Sequence, residues 1–343
     1  MDGYAVRYAD GAGPWRVIGE SAAGAAFRGM LAPQTAVRIF TGAHVPSGAD
    51  TVIIQENIAI TGDDIALSRQ DPMEPLKNIR KAGSDFVTGD ILITKGTKLT
   101  AGAIAAAAMA GHAKLRVGGR PTISIISSGN ELAPPGEALT DEQIPASNSI
   151  MLCAMLSSLP ADARDLGIAR DDIAALTAKI SEAKASDIIV TIGGASVGDH
   201  DLVQAALTQA GAQIDFWRIA IRPGKPMMAG TLGHSIVLGL PGNPGSAFVT
   251  AFLFLLPLVR HLAGAADCWP MLREMPCGHD LPAGGSRAEY LRARVRNGIL
   301  FAFNRQDSGM TLPLAAANAL ILRPPYAAKI SAGSSVPYLP IDI

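Results

Sequence analysis

Apolar and polar residues alternate in short runs along the first third of the chain. Runs such as residues 51–55 and 91–94 lie between Gly, Pro and Asp residues, which favour turns. The pattern predicts a β-rich region over residues 1–98, folded as hairpins or a small barrel. A helix is predicted at 101–110, with Thr100 as its N-cap and Gly111 at its C-terminal end.

The pattern changes after residue 120. Short apolar runs at 122–127, 187–192 and 235–240 each lead into a loop that contains glycine. Helical periodicity is found at 147–159, 171–184 and near 202–209, and an apolar helix is predicted at 247–259. This last helix is too short to span a bilayer and contains Pro257, so it is interpreted as buried. The repeat of strand, glycine loop and helix predicts a parallel-sheet α/β domain.

From about residue 263 the pattern is β-like again. Residues 290–295 and 300–303 alternate between apolar and polar positions, and many Gly and Pro turns surround them. Residues 264–343 are therefore predicted to form a small β domain.

Composition and charge narrow the possible functions. Of the 343 residues, 48% are hydrophobic and 17% are charged, and the formal net charge is −1. Because there is no global positive field, neither nucleic acid nor a membrane is expected as a partner. A site for anions must concentrate its positive charge locally. The three cysteines form no CxxC pair, which indicates free or buried thiols in a reducing cytoplasm.

Three loops that follow predicted strands have chemistry suited to anions. They are SSGNE at 127–131, GGASVGDHD at 193–201 and PGNPGS at 241–246. Ligands of parallel sheets bind beyond the carboxyl ends of the strands, and glycines let backbone N–H groups approach an anion. A phosphate-bearing ligand fits this arrangement. For any one loop alone, a tight turn without a ligand is the alternative.

The second loop also carries Asp199 and Asp201. Carboxylates at i and i+2 suit Mg²⁺, a hard cation that prefers oxygen ligands. Aspartate at a helix start also stabilises the helix without any metal. The residues alone leave both interpretations open.

Three cations fall within the eight residues from Arg218 to Lys225, with Arg222 between them. Prolines and a glycine stiffen the end of this segment, so that it can hold oxyanions through fixed donors. A solvated surface turn is the alternative. The segment is not a Walker P-loop, because Ile219 stands where that motif needs glycine. No GxSxG or HExxH motif is present, which favours charge stabilisation and metal assistance over a covalent intermediate.

Short motifs in a fixed order cover most of the chain. They are MDGYAV at 1–6, IFTGA at 39–43, PSGAD at 46–50, GSD at 83–85, GD at 89–90, KG at 95–96, SGNEL at 128–132, TIGGASVGDHD at 191–201, RPGKP at 222–226 and LPGNPGS at 240–246. Together they resemble the MoeA/gephyrin E-domain family, the molybdopterin molybdenumtransferases. Each match is short, but the ordered set is specific.

The resemblance implies an elongated dimer of multidomain α/β and β subunits. The expected domains are a β-rich N-terminal domain at 1–85, a remnant of the linker and dimerisation domain at 86–118, a parallel-sheet molybdopterin-binding α/β domain at 119–263 and a C-terminal β-barrel at 264–343. Family members usually have several dozen residues before the DGYA signature, so the chain is expected to be shortened at its N-terminus.

The resemblance also implies a reaction. Adenylylated molybdopterin and molybdate are the expected substrates, molybdenum cofactor and AMP the products, and Mg²⁺ the cofactor. The enzyme is expected in the cytoplasm, as a homodimer that contacts other proteins of molybdenum cofactor biosynthesis. A molybdopterin adenylyltransferase-like enzyme and a non-catalytic molybdopterin-binding scaffold are the alternatives.

The expected site residues follow from the motifs. Those expected to be catalytic are Asp2, Thr41, Asp85, Glu131, Asp199 and Asp201. Those expected to bind the cofactor substrate are Gly193, Gly194, Ser196, Gly198, Arg218, Arg222, Lys225, Pro241, Gly242, Asn243, Pro244, Ser246, Arg287 and Ser308. Asp199 and Asp201 are the expected metal ligands. Asp2, Thr41 and Asp85 are expected to close the site from the other subunit or from another domain.

Overall fold

A computed structural model describes residues 1–68, 73–194 and 202–342, with Trp217 described by its backbone alone. The chain divides into two compact units, Met1–Leu92 and Ile93–Ile343, called here the N-terminal and C-terminal units. The four-domain division expected from the sequence stays a prediction.

The N-terminal unit is built on a mixed sheet. Its strands are β1 (Gly3–Val6), β2 (Trp15–Ser21), β3 (Thr35–Ile39), β4 (Thr51–Ile54), β5 (Ile58–Thr61) and β6 (Asp64–Leu67), in the order β4-β1-β3-β2-β6-β5. Both faces of β1 are covered, because Tyr4 and Val6 pack into one core beside Trp15 while Ala5 packs into another. The expected β-rich region is confirmed. The strand expected at 91–94 is wrong: Ile91 is 81% exposed and the segment has no partner strand among the described residues.

The C-terminal unit contains the remaining strands and helices of the described residues. Its strands are β7 (Thr122–Ser128), β8 (Leu132–Ala133), β9 (Ile144–Pro145), β10 (Asp162–Ala169), β11 (Ile188–Ile192), β12 (Gln213–Arg218), β13 (Ile221–Arg222), β14 (Pro226–Leu232), β15 (Ser235–Leu240), β16 (Arg273–Pro276), β17 (Ala288–Arg296), β18 (Ile299–Ala302), β19 (Ala319–Arg323) and β20 (Ser335–Pro340). Its helices are α1 (Ala101–Met109), α2 (Asn148–Leu156), α3 (Ile173–Ala183), α4 (Leu202–Gln209), α5 (Pro244–Thr250), α6 (Leu256–Leu262) and α7 (Leu312–Ala316).

The central sheet of this unit has the order β10-β7-β11-β15-β14-β12. The first four strands are parallel, as expected for an α/β domain. The last two are antiparallel to their neighbours, so the sheet is mixed and not wholly parallel. The reason is the turn at Gly233 and His234, which joins β14 to β15, since so short a connection can link only antiparallel strands.

Helices cover both faces of the central sheet, because alternate residues of its strands face opposite sides. Ile188, Val190 and Ile192 pack into a core shared with α2 and α5, whereas Ile189 packs into a core shared with α3 and α4. The sequence also determines where helices begin. The Thr100 hydroxyl accepts a bond from Ala103 N–H at 3.2 Å, which confirms the predicted N-cap of α1.

The buried apolar helix is confirmed and is longer than expected. A π-helical segment, Ala251–Leu255, joins α5 to α6. Pro257 lacks an N–H and its ring displaces the carbonyl one turn earlier, so a widened turn just before it keeps the helix continuous. Pro244–Leu262 is long and apolar enough to cross a membrane, but 72% of its most apolar window is buried inside the protein, as in a core helix.

The C-terminal β domain closes on itself. Its strands have the order β13-β17-β19-β20-β16, and β18 pairs with β17. A bridge between Cys277 and Leu300 links the end of β16 to β18, with Gly278 N–H donating to Leu300 O at 2.7 Å. The expected barrel is therefore formed. The short strand β13 follows β12 and precedes β14 along the chain, but it pairs in parallel with the start of β17 in the barrel. This pairing connects the central sheet to the barrel.

Candidate functional site

A cavity of about 1370 Å³ lies beyond the carboxyl ends of the parallel strands of the C-terminal unit. The loops after β7, β11 and β15 line it, together with the hairpin between β12 and β14 and a loop of the barrel. The residues expected from the sequence that line it are Glu131, Gly193, Gly194, Arg218, Arg222, Lys225, Pro241, Gly242, Asn243, Pro244, Ser246, Arg287 and Ser308. The other expected residues of this site, Ser196, Gly198, Asp199 and Asp201, lie outside the described residues.

Close backbone contacts draw the three strand-end loops together. Gly193 has φ of 91°, and a Cβ there would lie 2.4 Å from the carbonyl oxygen of Ser128. Its N–H donates to Leu240 O at 3.1 Å. Only glycine satisfies both requirements, so this residue fixes the loop after β11 between the two neighbouring loops.

The loop after β7 is held by a carboxylate that sequence reasoning missed. Asp171 accepts bonds from the Ser128 hydroxyl at 2.8 Å and from Asn130 N–H at 3.1 Å, and it lines the cavity. In the sequence, Asp171 stands just before α3, where an aspartate commonly stabilises a helix start without any role in binding. Two residues away from Gly129, the Glu131 carboxylate folds back so closely that a Cβ on the glycine would meet its Oε2 at 2.4 Å.

The loop after β15 forms contacts to α2 and to the barrel. Asn148 donates from Nδ2 to Gly242 O at 2.6 Å, and Asn243 donates from Nδ2 to the Ser308 hydroxyl at 3.1 Å. Gly245 N–H donates to Ser308 O at 2.7 Å. This loop therefore joins the floor of the cavity to its barrel wall.

The cavity concentrates positive charge in a nearly neutral protein. Four cations line it, namely Arg218, Arg222, Lys225 and Arg287. The described lining also has three carboxylates, those of Glu131, Asp171 and Asp307, so that the net charge of its Arg, Lys, Asp and Glu side chains is four minus three, or one positive charge. A site that gathers cations in this way suits a polyanionic ligand.

The strand β17 holds the cationic hairpin in place. Arg222 Nη1 lies 3.2 Å from Glu289 Oε1, and the Glu289 side chain is only 12% exposed. Arg287 donates from Nη1 to Ile221 O at 3.4 Å. Gly224, at the turn of the hairpin, has φ of 108° and packs against Thr250 of α5, where a Cβ would lie 2.6 Å from the threonine methyl group.

The barrel wall of the cavity was only partly predicted. Of residues 304–309, only Ser308 was expected, yet Asn304, Gln306, Asp307 and Gly309 line the cavity as well. The signal that could have found them is the polar run NRQDSG, which interrupts an otherwise alternating β pattern.

A second cavity, of about 1100 Å³, lies in the N-terminal unit. Thr41 and Asp85 line it, and Arg80 supplies a positive charge. Asp2 Oδ1 accepts bonds from the N–H and the hydroxyl of Thr41, both at 2.9 Å. These two hydrogen bonds lower the pKa of Asp2 below its ordinary value. The structure therefore brings together the three residues expected from the first half of the chain.

A metal site is not formed by the residues that the structure describes. None of the groups of His, Cys, Asp and Glu among them has the three or more members that could hold a metal ion. The predicted ligands Asp199 and Asp201 lie outside these residues.

Three family models match the chain in order. They are the MoeA N-terminal region (domains I and II) over residues 1–111, a probable molybdopterin binding domain over 124–261, and the MoeA C-terminal region (domain IV) over 274–341. Between them they cover most of the chain.

Curated proteins named molybdopterin molybdenumtransferase are similar to the chain. One from Nostoc sp. is 34% identical across 100% of this chain and 82% of its own length. One from Haemophilus influenzae is 37% identical across 77% of this chain and 66% of its own length. Among solved structures, the molybdopterin biosynthesis moeA protein of Pyrococcus horikoshii is 27% identical, with a TM-score of 0.83 over 99% of this chain and 86% of that one.

Proposed function

This chain belongs to the family of molybdopterin molybdenumtransferases, and from that membership we infer that it inserts molybdenum into molybdopterin during molybdenum cofactor biosynthesis. The cavity of the C-terminal unit is the observation that links this function to particular residues. Three strand-end loops, a cationic hairpin and a barrel loop meet around it. This is the arrangement that a large anionic substrate requires.

The proposed substrates are adenylylated molybdopterin and molybdate. The first carries a pyrophosphate and the second is a dianion, so both need oriented N–H donors and cations. Binding cavities for small molecules usually measure about 300–1000 Å³. At about 1370 Å³, this one has room for a nucleotide-linked pterin beside an oxyanion.

Each wall of the cavity has a proposed role. Gly194 is proposed to present its backbone N–H to the pterin phosphate, while Gly193, whose N–H is bonded to Leu240 O, lets the phosphate approach the loop closely, with Glu131 beside them. The hairpin cations and Arg287 neutralise the oxyanions, and Ser308 donates its hydroxyl from the barrel. Pro241, Gly242, Asn243, Pro244 and Ser246 shape the floor.

In the proposed chemistry, an oxygen of molybdate or of water attacks the adenylyl phosphorus and the P–O bond to the molybdopterin phosphate breaks. AMP leaves with the new P–O bond, and molybdopterin keeps its own phosphate as it takes up molybdenum. Negative charge on the departing phosphate is stabilised by fixed cations in a preorganised site, which lowers the barrier without a covalent enzyme intermediate. The Ser128 hydroxyl is bonded to the Asp171 carboxylate, but this pair serves to hold the loop after β7, and the proposal needs no covalent nucleophile.

Mg²⁺ is the proposed metal, held by Asp199 and Asp201. Glu131 adds a carboxylate oxygen on the neighbouring loop, which is the kind of ligand that Mg²⁺ prefers. When bound, the ion supplies charge stabilisation to the phosphate oxygens. Chelation with EDTA is expected to abolish AMP release, and added Mg²⁺ is expected to restore it. Full activity in EDTA would contradict this role.

The enzyme is proposed to work as a cytoplasmic homodimer in which the N-terminal cavity of one subunit contributes to the site of the other. The three free cysteines suit a reducing compartment. Asp85→Asn and Arg287→Ala disable different cavities, so mixed dimers of the two variants are expected to regain activity in one of their two sites. If mixing restores nothing while each variant dimerises normally, Asp85 acts within its own subunit or not at all.

The central experiment measures AMP release from adenylylated molybdopterin as molybdate is varied. The proposal expects saturable, molybdate-dependent release that stops when Arg287 or Arg218 is replaced by alanine. Wild-type protein that forms no AMP, or forms it equally well without molybdate, would rule the function out. The adenylyltransferase alternative predicts instead consumption of ATP by molybdopterin alone.

A further inference from the structure

Arg292 lies in the middle of β17 and is fully buried, with 0% of its surface exposed. No carboxylate forms a salt bridge with it among the described residues, although its guanidinium is a permanent charge. Removing a charge from water costs several kcal/mol unless hydrogen bonds replace the lost hydration. The bonds that do so here all lead to one loop of the barrel.

Arg292 clamps the loop of residues 306–310 at both ends. Its Nη2 donates to Asp307 O at 2.8 Å and its Nη1 donates to Met310 O at 3.1 Å. The backbone of Arg292 also holds this loop. Its N–H donates to Gln306 Oε1 at 3.0 Å, and its carbonyl accepts from Gln306 Nε2 at 2.9 Å. The two residues between the clamped carbonyls are Ser308 and Gly309, and both line the cavity.

The clamped loop also docks against the start of α5. Ser308 O accepts from Gly245 N–H at 2.7 Å. There is no spare room at this contact, because a Cβ on Gly245 would lie 3.0 Å from Ser308 O and 3.3 Å from Arg292 Nη1. The guanidinium, the barrel loop and the helix start therefore meet at a single point behind the cavity wall.

A second buried arginine shows what a purely structural role looks like. Arg323 on β19 is 1% exposed, and its Nη2 donates to Pro282 O at 3.0 Å and to Ala328 O at 2.7 Å. It ties two barrel loops together in the same manner. Neither Arg323 nor its partners line the large cavity. The two arginines are alike in burial and in holding backbone carbonyls, but they hold different loops, and the Arg323 Nε lacks the partner that Gln306 gives to the Arg292 Nε.

We propose that Arg292 is a positioning residue of the transferase: by clamping residues 306–310 it fixes the Ser308 hydroxyl at the cavity wall, and so determines how well the site holds molybdate. The guanidinium itself lies behind the wall and does not touch substrate. The proposal rests on the proposed function for its kinetic part. Its structural part, that the loop depends on Arg292, stands on the contacts alone.

The test compares Arg292→Lys with the matched control Arg323→Lys. Lysine keeps the charge but cannot reach both clamped carbonyls with a planar fork. In Arg292→Lys, the KM for molybdate is expected to rise about tenfold, the equivalent of about 1.4 kcal/mol, with little change in kcat. In Arg323→Lys, both constants are expected to stay within about twofold of wild type even if the melting temperature falls, as expected away from the site.

Hydrogen–deuterium exchange of the intact protein without substrate gives a readout independent of activity. Arg292→Lys is expected to speed exchange in peptides that cover residues 304–310, and Arg323→Lys in those that cover 282–284 and 327–330. If wild type lacks molybdate-dependent AMP release, the proposed function fails. If exchange at 304–310 is unchanged in Arg292→Lys, the positioning role fails. Equal KM values in the two lysine variants of an active enzyme would also overturn it.

Gly245→Ala serves as a second variant should Arg292→Lys not fold. This variant keeps Arg292. Its new Cβ would lie 3.0 Å from Ser308 O, so the backbone of the barrel loop must move to make room. The same rise in KM for molybdate is expected, together with faster exchange at 304–310. An unchanged KM in Gly245→Ala, with exchange raised at 304–310, would show that the position of this loop does not matter and would refute the proposal.

Discussion

The two large cavities of the protein differ in how their polar groups are held. In the C-terminal unit, four cations line the cavity, and its loops are locked by contacts to neighbouring strands and to the barrel. In the N-terminal unit, the lining has a single Arg, with Asp85 and the Thr41 bound by Asp2. The first cavity gathers cations and therefore suits an anion, whereas the second presents the carboxylate of Asp85 and the hydroxyl of Thr41.

This difference suggests that the C-terminal cavity determines the affinity for molybdate and that the N-terminal cavity determines the turnover rate. Variants that weaken the contacts of the cationic cavity to molybdate should change the molybdate concentration that is needed, because those contacts are expected to form in the ground state and the transition state alike. Variants of Asp85 in the N-terminal cavity should change the rate of AMP release. The predictions below test that division, from the largest effect to the smallest.

The largest effect is expected from Asp85→Asn. The variant should fold but lose molybdenum insertion, with kcat lower by about a hundredfold or more, as for loss of a general acid or base. Binding of adenylylated molybdopterin, measured by calorimetry, should be unchanged. Asp201→Asn is expected to lose insertion as well, from its place in a carboxylate motif. Asp63→Asn, on the turn between β5 and β6, is the control; wild-type AMP release from Asp85→Asn would defeat the assignment.

Arg222→Ala should raise the half-saturating molybdate concentration while kcat changes little. A hydrogen bond to a charged group contributes about 1.5–3 kcal/mol, and the lower end applies because the Arg222 side chain is 61% exposed, so about a tenfold rise is expected. The assay is AMP release at increasing molybdate. An unchanged half-saturating concentration counts against a role in the oxyanion site.

Glu289→Gln should lower the half-saturating molybdate concentration, by a smaller factor than Arg222→Ala raises it. The amide keeps an oxygen to accept from Arg222 but no longer neutralises it, so the half-saturating molybdate concentration should fall by about two- to threefold at low salt. Glu182→Gln is the matched control, because Glu182 pairs with Arg164 on the surface at 3.0 Å. Weaker molybdate binding in Glu289→Gln would mean that Glu289 positions Arg222 more than it screens it.

The smallest effect concerns pH and the N-terminal cavity. The pKa of Asp2 is lowered in the folded protein from 3.8, so its contribution to stability is present above that pH and is lost as the pH falls through the lowered pKa. Asp2→Asn removes this dependence. Wild type should therefore lose more melting temperature than Asp2→Asn between pH 5 and pH 3, and parallel pH profiles would contradict the Thr41 contact.

The pattern of apolar residues predicted the strands that are continuous buried runs, together with the glycine loops that follow them. Strands β7, β11 and β15 are buried apolar runs that end at glycine, which is why their loops were identified as one edge of a sheet. Strands β10 and β12 were missed because they are the edges of that sheet and their sequences, DARDLGIA and QIDFWR, are too polar to be read as buried strands.

The contacts that complete the site could not be read from the sequence. Asn243 and Ser308 are 65 residues apart, and Arg222 and Glu289 are 67 apart, so no local periodicity connects them. Ser308 and Arg287 were expected through motif resemblance and not through spacing. The polar neighbours of Ser308 were missed because the function of a barrel loop depends on which surface the barrel meets.

The pairing of β13 with β17 has a thermodynamic consequence. Part of the cationic hairpin, β13, is at the same time a strand of the barrel sheet, so unfolding of the barrel would release the hairpin cations from their fixed positions. Occupancy and barrel unfolding are therefore expected to be linked equilibria: an oxyanion that binds only the folded hairpin raises the free energy of barrel unfolding and with it the resistance of the barrel to proteolysis. Proteolysis of the barrel would thus report whether the site is filled.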